Sequence, residues 1–412
     1  MRVHVINTGT ELMLGDVINT HLAFIAHEIL PLGLRVASQT AIPDGVAIRG
    51  ALLGAFADAD IVFVTGGLGP TTDDVTREIA AELLGLPLRR DDVVAGVITK
   101  RLKTNRFPMT DRILRQADVP EGAVVLPNPN GTAPGIYLSA SSSGDGVTPH
   151  LFLLPGPPRE LRPMFAESVV PILRGIVPAV EGMDCRTFGI ACVGESVVES
   201  AVGRQLLALK DLELGYCAHA GAVDVRVLGP SDSVRSAETI IRGAFSKSIY
   251  TTTGEKLEEV VVASLASKRK TVATAESCTG GFLAHRLTNV TGASAVFLAG
   301  HVTYANAAKV ESLGVSDLLL QQHGAVSEPV ACAMAEGARE KSGATYALAT
   351  TGIAGPGGGS DEKPVGTVFV ALASEGDETE VKRFRFITDR PTFKQLASQR
   401  ALEMLRQRLL ET

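Results

Sequence analysis

Tryptophan is absent from this 412-residue chain, and tyrosine occurs only five times. Proteins that bind single-stranded nucleic acids usually stack the bases on exposed aromatic rings, so this composition argues against such a surface. Basic residues are also outnumbered, with 39 Lys and Arg against 45 Asp and Glu, and no run rich in Lys or Arg stands out. These features disfavour nucleic acid as a partner.

The chain also has few cysteines and no long apolar run. The five cysteines are odd in number and show no C-x-x-C spacing, which disfavours both a disulfide framework and a zinc site and is typical of a reducing cytoplasm. No apolar run reaches the ~18 residues of a membrane helix, and the chain starts directly with a strand pattern rather than a signal peptide. We expect a cytoplasmic protein without membrane contact.

Length and residue pattern predict an α/β fold of two three-layer α/β/α domains joined by a small α+β domain. The chain is too long for one ordinary domain. Near-continuous apolar runs such as Ile61–Thr65 and Val124–Leu126 favour buried strands of a parallel sheet, and helical patterns lie between them. The middle segment reads strand–helix–strand–strand–helix. The expected boundaries are 1–174, 175–253 and 254–412.

The octapeptide T-A-E-S-C-T-G-G at residues 274–281 places a hydroxyl and a thiol on the turn after a predicted strand. A nucleophile on such a turn faces backbone N–H groups that stabilise an oxyanion. The structural alternative is a helix cap, in which Ser277 or Thr279 accepts hydrogen bonds from the first turn. Cys278 is a rival nucleophile, but we expect its side chain to point into the core, and Ser277 is therefore preferred.

A second dense motif, G-G-L-G-P-T-T-D-D-V-T, follows the predicted strand Ile61–Thr65. Glycines let backbone N–H groups approach a phosphate closely at the carboxyl end of a strand. We expect a helix over residues 72–84 that begins with Asp73 and Asp74. These carboxylates either complement the helix dipole or hold a divalent cation that bridges phosphates.

The N-terminal motifs G-T-E-L, G-G-L-G-P-T-T-D-D-V-T, N-G-T-A-P-G and P-G-P-P-R-E-L resemble the molybdopterin-binding-fold domain of the competence/damage-inducible (CinA) family. This resemblance implies a metal-dependent ADP-ribose pyrophosphatase that uses Co²⁺, Mn²⁺ or Mg²⁺. It places the cation on three carboxylates: Asp44, Asp73 and Asp74. It places the substrate on a set of cleft residues: Thr8, Glu11, Gly66, Gly67, Thr71, Asn130 and Gly131. Which carboxylate activates water stays open.

Five motifs in the last segment, from the octapeptide to K-P-V-G-T at 363–367, resemble the C-terminal domain of the same family. Stand-alone members of that family hydrolyse nicotinamide mononucleotide (NMN). No His lies near the octapeptide in a way that suggests a Ser–His–Asp triad, so a Ser–Lys pair is the available alternative. The resemblance implies Ser277 as nucleophile and Lys309 as base, with Tyr304 in the same cleft and no cofactor. It implies substrate contacts from several further residues: Cys278, Thr279, Gly280, Thr351, Gly352, Gly355, Arg390 and Lys394. Lys394 stands where the family leads us to expect Arg, so bidentate phosphate binding there is in doubt.

The middle segment resembles the KH-like domain of full-length CinA proteins. It lacks a G-x-x-G clamp between its helices, so a spacer or dimerisation role is favoured over RNA binding. The whole chain is expected to be a homodimeric, bifunctional enzyme of pyridine-nucleotide recycling that acts on NMN and ADP-ribose. The alternative is a non-catalytic nucleotide- or pterin-binding protein in competence or the DNA-damage response.

Overall fold

The computed structural model describes residues 1–105, 108–143, 146–178 and 183–411. The chain divides into two compact units, Met1–Glu181 and Gly182–Thr412. The expected middle segment at 175–253 and the expected C-terminal domain at 254–412 both fall largely in the second unit. Residues 179–182 of the former and residue 412 of the latter lie outside the described residues.

The described residues of the first unit form ten strands: β1 (Arg2–Thr8), β2 (Arg35–Ile42), β3 (Ile61–Thr65), β4 (Leu88–Arg90), β5 (Asp118–Pro120), β6 (Val124–Leu126), β7 (Gly135–Leu138), β8 (Ser141–Ser143), β9 (Gly146–Thr148) and β10 (His150–Leu154). Six of them form the main sheet in the order β2-β1-β3-β10-β7-β6. The first four pair in parallel, whereas β7 and β6 are antiparallel. The prediction of a buried parallel strand at Val124–Leu126 is therefore wrong: this strand is an antiparallel edge whose first residue is exposed.

Eight α-helices accompany this sheet in the part of the unit that the structure describes: α1 (Thr10–Leu14), α2 (His21–Ile29), α3 (Ala47–Phe56), α4 (Thr76–Leu83), α5 (Asp92–Asn105), α6 (Asp111–Leu114), α7 (Pro158–Met164) and α8 (Val170–Ile176). A π-helical turn at Phe165–Val169 joins the last two. The helix predicted at residues 72–84 begins only at Thr76. Asp73 and Asp74 precede it because their carboxylates accept hydrogen bonds from Thr71, and such local bonds compete with helix formation.

Between residues 183 and 411 the second unit has nine strands: β11 (Met183–Ala191), β12 (Glu213–His219), β13 (Ala222–Pro230), β14 (Ile249–Thr251), β15 (Val272–Glu276), β16 (Phe297–Val302), β17 (Tyr346–Gly352), β18 (Thr367–Ser374) and β19 (Glu380–Arg385). The first four form an antiparallel sheet in the order β12-β13-β11-β14. The other five form a mixed sheet in the order β16-β15-β17-β18-β19, in which β16, β15 and β17 are parallel.

The helices of this unit are α9 (Glu195–Val198), α10 (Arg204–Leu207), α11 (Ser231–Phe245), α12 (Leu257–Ser267), α13 (Phe282–Thr288), α14 (Asn306–Leu313), α15 (Asp317–His323), α16 (Glu328–Ser342) and α17 (Arg390–Glu411). Alternate strand residues of the mixed sheet face two different cores. Val272 and Leu348 pack with α12, α13 and α17, while Ala273 and Ala347 pack with α16 on the other face. This alternation gives the expected three-layer arrangement, and the predicted α/β fold class is confirmed.

The antiparallel sheet is joined to helix α17 by a buried arginine. The Arg406 side chain is 4% exposed, and it donates a hydrogen bond of 3.3 Å to the Ile249 carbonyl. Its other nitrogens bind the Glu403 carboxylate at 2.7 Å. The middle segment is therefore packed directly against the C-terminal domain. None of the helices in the described ranges is both long and apolar enough to cross a membrane.

Candidate active site

Ser277 lies on the turn between β15 and α13, at the carboxyl ends of the parallel strands. Its N–H donates to the Thr350 carbonyl of the neighbouring strand β17 at 2.9 Å, and its carbonyl accepts from Gly280 at 3.2 Å. Gly280 and Gly281 have φ angles of 58° and 88°, a region that only glycine enters at low cost. The two glycines thus allow the chain to turn sharply from the strand into the helix and leave Ser277 at the edge of the sheet.

Lys309 on helix α14 reaches this serine from 32 residues away. Its Nζ lies 3.2 Å from Ser277 Oγ, 2.8 Å from the Thr303 carbonyl oxygen and 3.4 Å from the Tyr304 carbonyl oxygen. The Lys309 side chain is only 1% exposed. Burial lowers the pKa of Lys309 below its ordinary value, because the charged ammonium loses hydration.

The surroundings of Lys309 suit a proton acceptor. A neutral amine keeps two N–H bonds and one lone pair. The carbonyls of Thr303 and Tyr304 can only accept hydrogen bonds, so the two N–H bonds are directed at them. The lone pair is then left for the Ser277 hydroxyl. This arrangement can take the serine proton and later return it to a leaving group.

Cys278 is placed differently from Ser277. Its side chain is 5% exposed and belongs to the apolar core formed with α12 and α17. Burial raises the pKa of the Cys278 thiol to about 12, so a thiolate is not available at neutral pH. Thr279 is also buried, and its hydroxyl bonds to that of Thr350 at 2.7 Å. Neither side chain is directed toward a substrate at Ser277.

The cap of helix α13 is made by a residue that sequence reasoning passed over. The Glu276 carboxylate accepts hydrogen bonds from the N–H groups of Leu283 at 2.9 Å and Ala284 at 2.8 Å. Ser277 and Thr279 do not cap the helix. In the described part of the chain, the turn N–H groups without an oxygen acceptor are those of Cys278, Thr279 and Gly281. The first two interact with the Cys278 sulfur, so Gly281 N–H is the turn donor without either kind of partner.

Two cations lie beside the turn. Arg390 donates to the Tyr304 hydroxyl at 2.8 Å and to the Gly355 carbonyl at 3.2 Å. The Lys394 ammonium lies 5.8 Å from the centre of the Phe282 ring, and a Cβ atom on Gly280 would be 3.8 Å from it. Tyr304 is 61% exposed. Its backbone carbonyl contacts Lys309 Nζ, and its side chain extends outward to Arg390.

The glycine-rich segment after β17 is partly structural. The Thr351 hydroxyl donates to the Ala325 carbonyl at 2.7 Å, so its proton is already used in a structural bond. A Cβ atom on Gly352 would lie 2.7 Å from the Thr367 carbonyl oxygen, so this glycine permits close strand packing. Gly355 has a φ of 80°, and its carbonyl holds Arg390. Of these three predicted contacts, only Gly355 is tied to another predicted site residue.

A separate cleft of about 440 Å³ opens at the carboxyl ends of the parallel strands in the first unit. Its lining includes most of the residues predicted there: Thr8, Glu11, Asp44, Gly66, Gly67, Thr71, Asp73 and Asp74. Among the described residues that line it, five side chains are carboxylates, those of Glu11, Asp44, Asp73, Asp74 and Glu160, and none is Lys, Arg or His. An anionic ligand in this cleft would need a cation to offset the negative charge.

The predicted metal-binding carboxylates are held by nearby threonines. Asp44 accepts from the Thr8 hydroxyl at 2.6 Å, and Asp73 accepts from the Thr71 hydroxyl at 2.6 Å. The latter bond lowers the pKa of Asp73 below its ordinary value. Within the described ranges, no group of three or more His, Cys, Asp or Glu side chains forms a metal site. The donors therefore do not form a complete protein cage, but they fit a cation shared with a ligand's phosphates, as Mg²⁺ is usually bound.

Two predicted residues are not among those that line this cleft. Asn130 donates instead to the Arg159 carbonyl at 3.0 Å. Gly131 lies against Glu160, where a Cβ atom would come within 1.8 Å of the carboxylate. Thr132 and Ala133 line the cleft in their place. Gly66 does belong to it: its φ is 103°, and a Cβ there would be 2.4 Å from the Thr8 carbonyl oxygen.

Comparison with known proteins identifies the family of both domains. The family model "CinA C-terminal domain" matches residues 254–409, and "Probable molybdopterin binding domain" matches residues 4–175. A CinA-like protein of Akkermansia muciniphila is 46% identical over 98% of this chain and 96% of its own length. The chain belongs to the CinA family. A putative competence-damage inducible protein of Moorella thermoacetica is 41% identical over 98% of both chains.

Among solved CinA-family structures, the competence/damage inducible protein CihA from Agrobacterium tumefaciens is 40% identical. It covers 38% of this chain and 98% of its own, with a TM-score of 0.35.

Two further residues of this CinA-family chain were missed by sequence reasoning. Glu160 lines the N-terminal cleft and is 8% exposed, and the Asn128 amide donates to its carboxylate at 2.8 Å. The acid belongs to the motif P-G-P-P-R-E-L, which carries part of the family resemblance, but no role is assigned to it from the sequence. Glu276 was likewise part of the octapeptide, but only the tertiary contacts give it a function.

Proposed function

We propose that the C-terminal domain hydrolyses NMN to nicotinate mononucleotide and ammonia. The observation that carries this proposal is the buried Lys309 amine 3.2 Å from Ser277 Oγ. The family membership alone does not specify the substrate. The resemblance suggests NMN as the substrate, and the geometry of Ser277 and Lys309 supports hydrolysis of its amide.

In the proposed reaction, Lys309 accepts the Ser277 proton while Oγ forms a bond to the carboxamide carbon. The negative charge then develops on the carboxamide oxygen, where turn N–H groups stabilise it. Lys309 returns the proton to the nitrogen, the C–N bond breaks and ammonia leaves. Water then attacks the ester carbon and gives its proton to Lys309, which passes it to Ser277 Oγ as the nicotinate is released.

The cations beside the turn support a phosphate-bearing substrate. Arg390 keeps unused N–H donors after its bonds to Tyr304 and Gly355, because a guanidinium carries five. Lys394 supplies a point charge on the Gly280 side. We propose that these two side chains bind the 5′-phosphate of NMN. In this proposal the Tyr304 hydroxyl orients the Arg390 guanidinium.

The test is ammonia release from NMN by the purified full chain. Ser277→Ala should remove the activity, whereas Ser267→Ala, an exposed serine at the end of α12, should leave it unchanged. Ammonia release that persists in Ser277→Ala would refute the assignment of the nucleophile. Binding of nucleotides without any turnover would instead support the non-catalytic alternative.

For the N-terminal domain we propose cleavage of ADP-ribose between its phosphates, dependent on a divalent cation. The carboxylate-lined cleft without basic residues supports this, because a diphosphate would be repelled there unless a cation accompanied it. Asp44 and Asp74 would hold the cation together with the substrate's phosphates, and it would supply charge neutralisation. The glycines at 66 and 67 let the backbone approach the ligand. Turnover without added Co²⁺, Mn²⁺ or Mg²⁺ in metal-free buffer would refute this assignment.

A further inference from the structure

The octapeptide contains a buried acid that the proposed reaction does not use. The Glu276 side chain is fully buried, and no Lys, Arg or His in the described ranges forms an ion pair with it. A carboxylate without a cation is costly to bury unless hydrogen bonds replace its hydration. Its position immediately before Ser277 therefore calls for a physical reason.

Both oxygens of Glu276 are occupied by the first turn of α13. One accepts from Leu283 N–H at 2.9 Å and the other from Ala284 N–H at 2.8 Å. These bonds connect the last residue of β15 to the second and third residues of the helix, and they close the loop that carries Ser277 and the two left-handed glycines. Charge-assisted bonds of this kind are stronger than neutral ones, and the helix N-terminus favours a negative charge.

The same residue also connects to the base. The Glu276 carbonyl accepts from Thr303 N–H at 2.8 Å, and the Thr303 carbonyl holds Lys309 Nζ at 2.8 Å. Glu276 thus lies between the segment that presents the nucleophile and the segment that orients the amine. A change in its side chain would alter the loop on the Ser277 side, while the Thr303 bond, which is made by backbone atoms, would remain.

We propose that Glu276 is a positioning residue that holds the Ser277 turn in the geometry required for attack, by occupying two N–H groups of α13. This inference rests on the proposed amidase function. The N–H groups of Leu283 and Ala284 are then used in structural hydrogen bonds to Glu276, so they are not oxyanion donors. A displacement of about 1 Å in a reacting atom can cost about 100-fold in rate.

Glu276→Gln tests the proposal because it keeps size and shape. Its amide oxygen can accept one N–H, but its NH₂ group then faces the other N–H, and two donors repel. We expect kcat for NMN to fall about 10- to 100-fold with little change in KM, since the phosphate contacts are made elsewhere. The rate at which a fluorophosphonate labels Ser277, with Oγ displacing fluoride, should fall in parallel.

Two control variants separate positioning from general loss of stability. Glu259→Gln makes the same substitution at a carboxylate that accepts a single backbone N–H, at the start of α12, and should leave kcat unchanged. Leu409→Ala weakens the core about 28 Å along α17 from Arg390, at 1.5 Å per residue. It should lower the melting temperature without lowering kcat at a temperature where the protein is folded.

The outcomes are distinct. Full kcat and full labelling in folded Glu276→Gln would overturn the inference. If that variant does not fold, Glu276→Asp keeps the charge but is one methylene shorter, and a folded Asp variant with unreduced kcat would overturn it equally. If wild-type protein does not hydrolyse NMN, the proposed function fails, while the labelling rates of Ser277 still test the positioning by Glu276.

Discussion

Replacement of Lys309 discriminates between a proton acceptor and a fixed positive charge. Lys309→Met keeps an unbranched side chain of similar length but removes the amine, whereas Lys309→Arg keeps a charge that is not lost at any accessible pH. A general base contributes about 10²- to 10⁴-fold to the rate. We expect both variants to lose kcat for NMN by at least about 10²-fold. A role as a fixed charge would leave the Arg variant active.

The structure also indicates how Lys309→Met should affect stability. The Thr303 carbonyl would lose its 2.8 Å partner, which costs about 1–3 kcal/mol. The same change removes a buried amine whose charged form is disfavoured by burial. Because these effects oppose each other, we expect the free energy of unfolding to stay within about 2 kcal/mol of wild type. Loss of activity would then not be a consequence of unfolding.

The pH dependence follows from the lowered pKa of Lys309. Only the neutral amine accepts a proton, so NMN hydrolysis should rise with pH, and the rising limb should lie below the ordinary lysine value of 10.5. The unfolded chain binds the proton up to that ordinary value, so it binds more protons than the folded chain in this interval. Lys309 therefore reduces stability at lower pH, and this penalty fades as pH increases through the interval.

The assay is ammonia release coupled to a dehydrogenase, with initial rates taken across neutral and alkaline pH. Thermal unfolding followed by circular dichroism reports the stability of each variant. An Arg variant that keeps most of its rate would refute the base assignment. A wild-type rate that does not change with pH below the ordinary lysine pKa would refute it as well.

Three further outcomes are expected. Cys278→Ala should keep NMN hydrolysis near the wild-type rate, because the thiol is buried and protonated; loss of Ser277 labelling in this variant would contradict that expectation. Asp74→Asn should remove metal-dependent ADP-ribose cleavage but leave ammonia release from NMN unchanged, and parallel loss of both would indicate misfolding instead. Arg406→Met should destabilise the second unit by about 3 kcal/mol, because it leaves the half-buried Glu403 carboxylate with a hydrogen bond from Gln407 but without its cation; calorimetry would show an unchanged transition if the contact is unimportant.

Much of the C-terminal site could be predicted from local sequence. A β-branched strand followed by a serine and two glycines specifies a tight turn, because glycine alone enters the required backbone region at low cost. The alternation of strand and helix patterns likewise predicted the α/β class. The helix at residues 72–84 was predicted to begin too early, because Asp73 and Asp74 bind Thr71 locally rather than joining the helix.

The roles of individual acids and bases depended on contacts between distant residues. The family resemblance names Lys309 as the base, but its local sequence does not distinguish it from a surface lysine; the packing of α14 buries it and brings it to Ser277. Arg390 meets Tyr304 across 86 residues. Asn130 and Gly131, in contrast, resemble cleft residues in sequence but are not among the lining residues: Asn130 bonds to the Arg159 carbonyl, and Gly131 packs against the lining residue Glu160.

The sequence by itself determined the turns and the strands, since backbone conformation and hydrophobic period are local properties. It therefore determined where a nucleophile and a glycine-rich cleft would lie along the chain. The tertiary structure decided which side chains are desolvated and which polar groups are satisfied. Desolvation lowers the pKa of Lys309 and raises that of the Cys278 thiol, and the Glu276 carboxylate accepts hydrogen bonds from helix α13. These effects are tertiary because burial and such hydrogen bonds arise only when separate segments pack together.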